Sequence, residues 1–192
     1  MQTARPGERL LIVSDTMPPD PNGIALIAFH TAELLSESFD VHVIGAAGAR
    51  FNSPGIAYTG IRRLPIGTPD LHIPRPALGA IARAVATADR IIVHTPGPLG
   101  LAALYFARRR ATHTTLFQHN DYPALVKFGL PRTIAAPVLE RIASRIHRWS
   151  FRAATRVVAP AGSRNEGDCE RLRLNPPTTL GRTSSRATAM NR

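Results

Sequence analysis

The sequence predicts an α/β domain in which a doubly wound, mostly parallel sheet carries helices on both faces. Three observations point there. Strand-like segments recur at residues 10–14, 40–45, 90–94, 114–118 and 155–160, the first of them a short apolar run without helical spacing. Helical patterns lie between most of them, and the connections are short. At 192 residues the chain is long enough for one ordinary domain and short for two.

The first run, Leu10 to Ser14, stops at Asp15 and Thr16, and a stiff loop follows because Pro18, Pro19 and Pro21 fix φ and remove N–H donors. Asn22 and Gly23 then stand just ahead of a helical pattern with Ile24, Ile27, Ala28, Ala32, Leu34 and Leu35 on its apolar side and His30, Thr31 and Glu33 on its polar side. A helix start of this kind offers unpaired backbone N–H groups and partial positive charge, and Gly23 admits a close ligand, so an anion is expected there. Asn22 and Gly23 also fit a plain helix cap.

Residues 40–45 read as the second strand, and 46–61 as irregular chain with one short strand near Ile56 to Tyr58. Four prolines make Arg62 to Pro76 an extended surface loop before a helix from Ala77 to Ala88. The strand Arg90 to His94 turns through Thr95 to Leu99 into a helix with Pro98 in its first turn and Arg108, Arg109 and Arg110 at its end. The strand Thr114 to Gln118 leads to His119, Asn120 and Asp121, and Tyr122 to Gly129 is a short helix or a loop. A helix is expected from Thr133 to Ala154, apolar at Ile134, Val138, Leu139, Ile142, Ile146, Trp149 and Ala153. Arg141, Arg145, Arg148, Arg152 and Arg156 form a cationic stripe beside that face. A short strand, Thr155 to Pro160, follows, and Asn175 to Arg192 has the composition of a disordered tail. The domain plan is therefore an extension over 1–8, an α/β domain over 9–162 and a basic tail over 163–192.

The formal charge of +11 comes from arginine, Lys127 being the single lysine. It fits a contact surface for phospholipid headgroups or nucleic acid, and equally an arginine-rich coding bias. No apolar run reaches membrane-spanning length, residues 1–8 lack a leader-type apolar run, and Cys169 is alone. A cytoplasmic protein without a disulfide framework is expected. The seven histidines show no H-x-x-x-H spacing, and no G-x-G-x-x-G, phosphate-loop lysine or G-x-S-x-G motif is present.

In doubly wound sheets ligands bind beyond the carboxyl ends of the strands. Three of those ends carry unusual chemistry here: Asp15 to Gly23, His94 to Gly100, and His119 to Tyr122. They are expected to line one crevice. Each has a plainer reading, with His94 as a core histidine, His119 to Asp121 as a structural turn, and the arginine stripe as a solvated helix face.

Four segments in order, IVSDTMPPDPNGIALIAFHTAELL (12–35), IVHTPGPLGLAA (92–103), FQHNDYP (117–123) and WSFRAATRVVAP (149–160), resemble the amino-terminal domain of family 4 glycosyltransferases of GT-B fold. The resemblance covers residues 9 to 162. It implies a Rossmann-like half of a two-domain enzyme that moves a hexose from a GDP- or UDP-sugar to a lipid, glycan or small-molecule hydroxyl, with no catalytic metal and no cofactor. It places Asn22, Gly23 and Ile24 near the donor diphosphate and His119 by the reacting sugar; Asp15, His94, Gly97, Asp121 and Tyr122, from the three strand ends, are expected to complete a donor-phosphate and acceptor site. It also gives Arg141, Arg145, Arg148 and Arg152 a purpose as a peripheral contact with the inner face of a membrane. The sequence departs from the family after Ala161, where the second domain with its E-x7-E type motif is not found. The chain is therefore expected to be a truncated half whose donor-binding domain is missing, with turnover alone in doubt. Two other classes stand beside this: a non-catalytic module of the same fold for an anionic ligand or partner domain, and a basic binder of membrane surfaces or, less favoured, nucleic acid.

Overall fold

The computed structural model describes residues 7–68, 71–119 and 136–159. Its elements run β1 (Arg9–Ser14), α1 (Gly23–Leu35), β2 (Asp40–Ala46), β3 (Ile56–Ile61), β4 (Arg63–Thr68), β5 (Leu71–Pro74), α2 (Leu78–Thr87), β6 (Arg90–Val93), α3 (Pro98–Arg110), β7 (His113–Phe117), α4 (Ala136–Ala153) and β8 (Arg156–Val158). Six strands form one sheet in the order β3-β2-β1-β6-β7-β8, every neighbouring pair parallel. The expected doubly wound α/β fold is the observed one.

Because β1 is central, its side chains feed two cores on opposite faces. Leu10 and Ile12 pack with Val41, Val43, Ala28 and Ala32 beneath α1. Leu11 and Val13 pack with Ile81, Val85, Leu99, Leu104 and Phe151 beneath α2, α3 and α4. The chain order reverses between β1 and β6, so α1 and α3 start on opposite faces of the sheet at the same edge. That is the switch point at which such sheets open a crevice.

Several expectations need correction. Residues 62–76 are not a plain loop, because β4 and β5 pair as an antiparallel hairpin whose register shifts between Arg63 and Gly67. Pro65 lies inside that interval and cannot donate to a ladder, so the hairpin accepts the proline at the cost of regular pairing. The strand near Ile56 continues to Ile61 because β2 supplies a partner at every step.

On α1 the buried residues are Ala25, Ala28 and Ala32, whereas Ile27 and Leu34 face outward, Leu34 being 68% exposed. Ile27 and Leu34 share one helical face and the alanines another, and the small residues allow close approach to β1 and β2. On α4 the expected apolar residues Val138, Leu139, Ile142 and Ile146 are exposed, and the helix reaches the core through Phe151 and Ala153. An 18-residue helix is about 27 Å long, and it outruns its flanking strands of five and three residues. The expectations for Asp121, Tyr122, residues 122–129, Ile134, Cys169 and the tail fall outside the described residues.

Candidate functional site

The sheet edge at which a crevice is expected is formed by the ends of β1, β6 and β7. The loop after β1 is held internally: Ser14 Oγ donates to the Thr16 carbonyl at 2.7 Å, Asp20 N to Met17 O at 3.0 Å, and Asn22 N to Asp20 O at 2.8 Å. The buried Asp20 carboxylate also accepts from Met17 N at 3.3 Å and pairs with Arg63 of β4 at 2.8 Å. The hairpin that sequence reasoning missed thus anchors the loop that presents α1.

Asn22 is extended and its Oδ1 accepts from Ala25 N at 2.9 Å, which makes it the N-cap of α1. Among the described residues no acceptor lies against the Gly23 or Ile24 amide. A Cβ built on Gly23 would meet nothing within 4 Å. The capping reading holds for the Asn22 side chain, and the first two amides stay available to an anion.

The start of α3 is different. Gly97, its N-cap residue, brings no capping side chain, and Pro98 sits in the first turn. Asp15 supplies the cap from β1: Thr95 Oγ1 donates to its carboxylate at 2.7 Å, and the Gly97, Leu99 and Gly100 amides donate at 3.0, 2.8 and 3.3 Å. Thr95 Oγ1 in turn accepts from the Asp15 amide at 2.7 Å. Burial pushes the Asp15 carboxyl up from the usual range, while these donors pull it back. Two glycines permit the arrangement. A Cβ on Gly97 would lie 2.7 Å from the Asp15 carboxyl carbon, and one on Gly100 would lie 1.7 Å from the Thr95 carbonyl oxygen. The positive end of α3 is consumed inside the protein; that of α1 is not.

At the end of β6, His94 is fully buried and its Nδ1 lies 3.2 Å from Nε2 of His119 beyond β7. The rings are nearly parallel, with centroids 5.5 Å apart, and Phe117 stacks on His94 at 4.9 Å. Burial lowers both imidazoles, His94 to about 3 with a further push from His119, so both are neutral near neutral pH. Gln118 Nε2, between them in the chain, lies 3.5 Å from His147 Nε2 of α4.

Of the sequence-predicted site residues, Asp15, His94, Gly97 and His119 come together, and Asn22, Gly23 and Ile24 stand on the same sheet edge. Asp121 and Tyr122 lie outside the described residues. Arg141, Arg145, Arg148 and Arg152 are exposed along α4. Among the described residues no group of three or more His, Cys, Asp or Glu could hold a metal, and no helix is long and apolar enough to cross a membrane. Sequence reasoning held Thr95 and Asp20 only as members of the turns 94–100 and 15–23, without a role, and missed Arg63. The available signal was a helix that begins Gly-Pro with no capping side chain of its own, which requires a cap from elsewhere in the chain.

A profile described as Glycosyltransferase Family 4 matches residues 21–165. No curated protein matches the sequence. Among solved structures, a Listeria monocytogenes protein described as a UDP-N-acetylglucosamine 2-epimerase aligns at TM-score 0.53 and 14% identity over 90% of this chain and 44% of that one. A UDP-glucosyltransferase from Polygonum tinctorium aligns at TM-score 0.46 and 13% identity over 92% of this chain and 52% of that one. Such identities speak to the fold alone, and the chain spans about half the length of these two structures. The family profile spans most of the chain and agrees with the parallel sheet and its switch-point crevice, so the chain belongs to glycosyltransferase family 4.

Proposed function

We propose that this chain is the acceptor-side domain of a hexosyltransferase that uses a GDP- or UDP-linked sugar and a hydroxyl acceptor. One observation carries the reading. At the switch point Asp15 occupies one helix start, while the Gly23 and Ile24 amides of the other have no acceptor among the described residues. A donor diphosphate is thereby directed to α1, with Asn22 shaping the approach. His119 faces the sugar in transfer, and Asp15, His94 and Gly97 hold the crevice in shape. Asp121 and Tyr122 join the acceptor side on the strength of their place in the sequence just after His119. On the family resemblance, the reaction needs a nucleotide-binding half as well.

Calorimetric titration with GDP-mannose and UDP-glucose tests this. Binding of one of them is expected, weakened at least about tenfold in Gly23→Val with the unfolding midpoint unchanged. An identical titration for the variant overturns the reading. Turnover that appears only on adding a nucleotide-binding half separates the enzyme from a non-catalytic module of the same fold.

A second reading concerns α4, where exposed Val138, Leu139, Ile142 and Ile146 accompany exposed Arg141, Arg145, Arg148 and Arg152. This combination suits peripheral contact with an anionic membrane, as on a cytoplasmic leaflet. Cosedimentation with phosphatidylglycerol vesicles should exceed that with phosphatidylcholine and fall in Arg141→Glu/Arg145→Glu. Equal binding to both vesicles removes the idea, and tighter, salt-sensitive binding to DNA instead favours a nucleic-acid surface.

A further inference from the structure

His94 has no exposed surface, and its side chain makes one hydrogen bond, to His119; its Nε2 is buried without a partner. A buried histidine ordinarily bonds to the backbone or to several polar groups. Here the ring is fixed from below, by Phe117 stacking and by its own amide donating to the Val13 carbonyl at 2.9 Å, and spends its single bond on a ring at the crevice. His119 is only half-buried, and its Nδ1 has no partner among the described residues.

We infer that His94 is a positioning residue: it commits Nε2 of His119 to a bond inside the protein, so that His119 meets a ligand through Nδ1 alone and in a single neutral tautomer. The chemistry of the pair enforces this. Two neutral imidazoles facing Nδ1 to Nε2 share one proton on that edge, so the tautomer of either ring dictates that of the other; because His94 Nε2 is buried without a partner among the described residues, and an orphaned N–H is less tolerated there than an orphaned lone pair, the shared proton sits on His94 Nδ1 and His119 carries its own on Nδ1. Turning His119 over, or exchanging its tautomer alone, would leave both nitrogens of the buried His94 unpaired or set two lone pairs or two N–H groups against each other. The value of such a lock is preorganisation, since a group that meets a sugar hydroxyl through one fixed atom needs no reorientation when the ligand arrives. This deepens the proposed function and rests on it only in naming a sugar as the ligand.

The test is long-range proton–nitrogen NMR of the imidazoles of the uniformly labelled full chain, without ligand, at about pH 8 where both rings are neutral. His119 is expected to give nitrogen shifts of one tautomer, in excess over the other by about tenfold or more. His94→Phe keeps the aromatic stack and removes both nitrogens, and His119 should then show averaged shifts while amide resonances away from the crevice are unchanged. His94→Asn, which returns a polar atom near the Nδ1 position, should restore a single tautomer. Averaged shifts for His119 in the wild-type chain overturn the inference, as does a lock that survives in His94→Phe; the wild-type spectrum decides even if a variant fails to fold. Adding GDP-mannose or UDP-glucose keeps the two readings apart. Movement of the His119 Nδ1 signal supports the sugar contact, whereas a locked tautomer with no movement removes the sugar contact and leaves the pair intact.

Discussion

The carboxylate of Asp15, just beyond β1, accepts a 2.8 Å hydrogen bond from the amide of Leu99, 84 residues later in the chain. That bond crosses the switch point and ties the two halves of the sheet together at the edge where the crevice opens. Its strength comes from an ionised acceptor meeting the dipole of α3 in a dry setting, opposed by the cost of burying the charge. Asp15→Asn keeps the shape but sets an NH2 group against amide donors. A loss of about 2–4 kcal/mol is expected in urea unfolding, and a loss below about 1 kcal/mol would mean that the capping bonds contribute little.

Gly100 and Gly23 begin neighbouring helices at the same edge, yet substitution should separate them sharply. A Cβ on Gly100 would lie 1.7 Å from a backbone oxygen, which no side-chain rotation relieves. Gly100→Ala is therefore expected to cost about 3 kcal/mol or more, or to prevent folding. Gly23→Ala meets open space and trades glycine for a better helix former, so its stability should stay within about 0.5 kcal/mol of wild type or rise slightly. Thermal unfolding of the two variants side by side checks the contrast.

These pairs also show how far the sequence could be read. The strands buried on both faces were legible because β1 and the end of β2 leave apolar runs too short and too continuous for helices. The α1 cap was legible because Asn22 lies three residues from the amide it bonds. The β4–β5 hairpin was not, since proline normally argues against a ladder and only the bulged register accommodates it. On α4 the helical period was evident, but which of its residues are covered is a tertiary fact: Phe151 and Ala153 are buried while Val138, Leu139, Ile142 and Ile146 are exposed. Sequence logic brought His94 and His119 to one edge; that their rings bond depends on the parallel pairing of β6 with β7.

The C-terminus of α3 offers a gain in stability. Ala111, its C-cap, has φ 53° and ψ 30°, a left-handed conformation in which a Cβ crowds the following carbonyl, and its amide donates to the Ala107 carbonyl. Ala111→Gly should relieve about 1 kcal/mol, less what glycine returns through the greater freedom of the unfolded chain. An unfolding midpoint raised by a few degrees is the expected result. A lowered midpoint would show that the Ala111 methyl group contributes packing that outweighs the backbone strain.

The buried His94 makes the fold sensitive to mild acid. Burial, with His119 beside it, holds this imidazole at about 3 in the folded chain against 6.5 when unfolded. The unfolded state therefore binds the extra proton first, and the stability that is complete above 6.5 is lost progressively as pH falls toward 3. Between pH 7 and pH 5 the expected loss from this residue is about 2 kcal/mol. His119 adds to it in the same direction, because burial lowers that ring too. Asp15 works oppositely: its carboxyl is raised by burial, so its contribution declines as pH rises through the window above 3.8. Comparing wild type with His94→Phe at both pH values cancels the Asp15 contribution. Urea unfolding should show a shallower fall between pH 7 and pH 5 for the variant than for wild type, whatever its absolute stability; parallel falls would mean that His94 takes up its proton without unfolding.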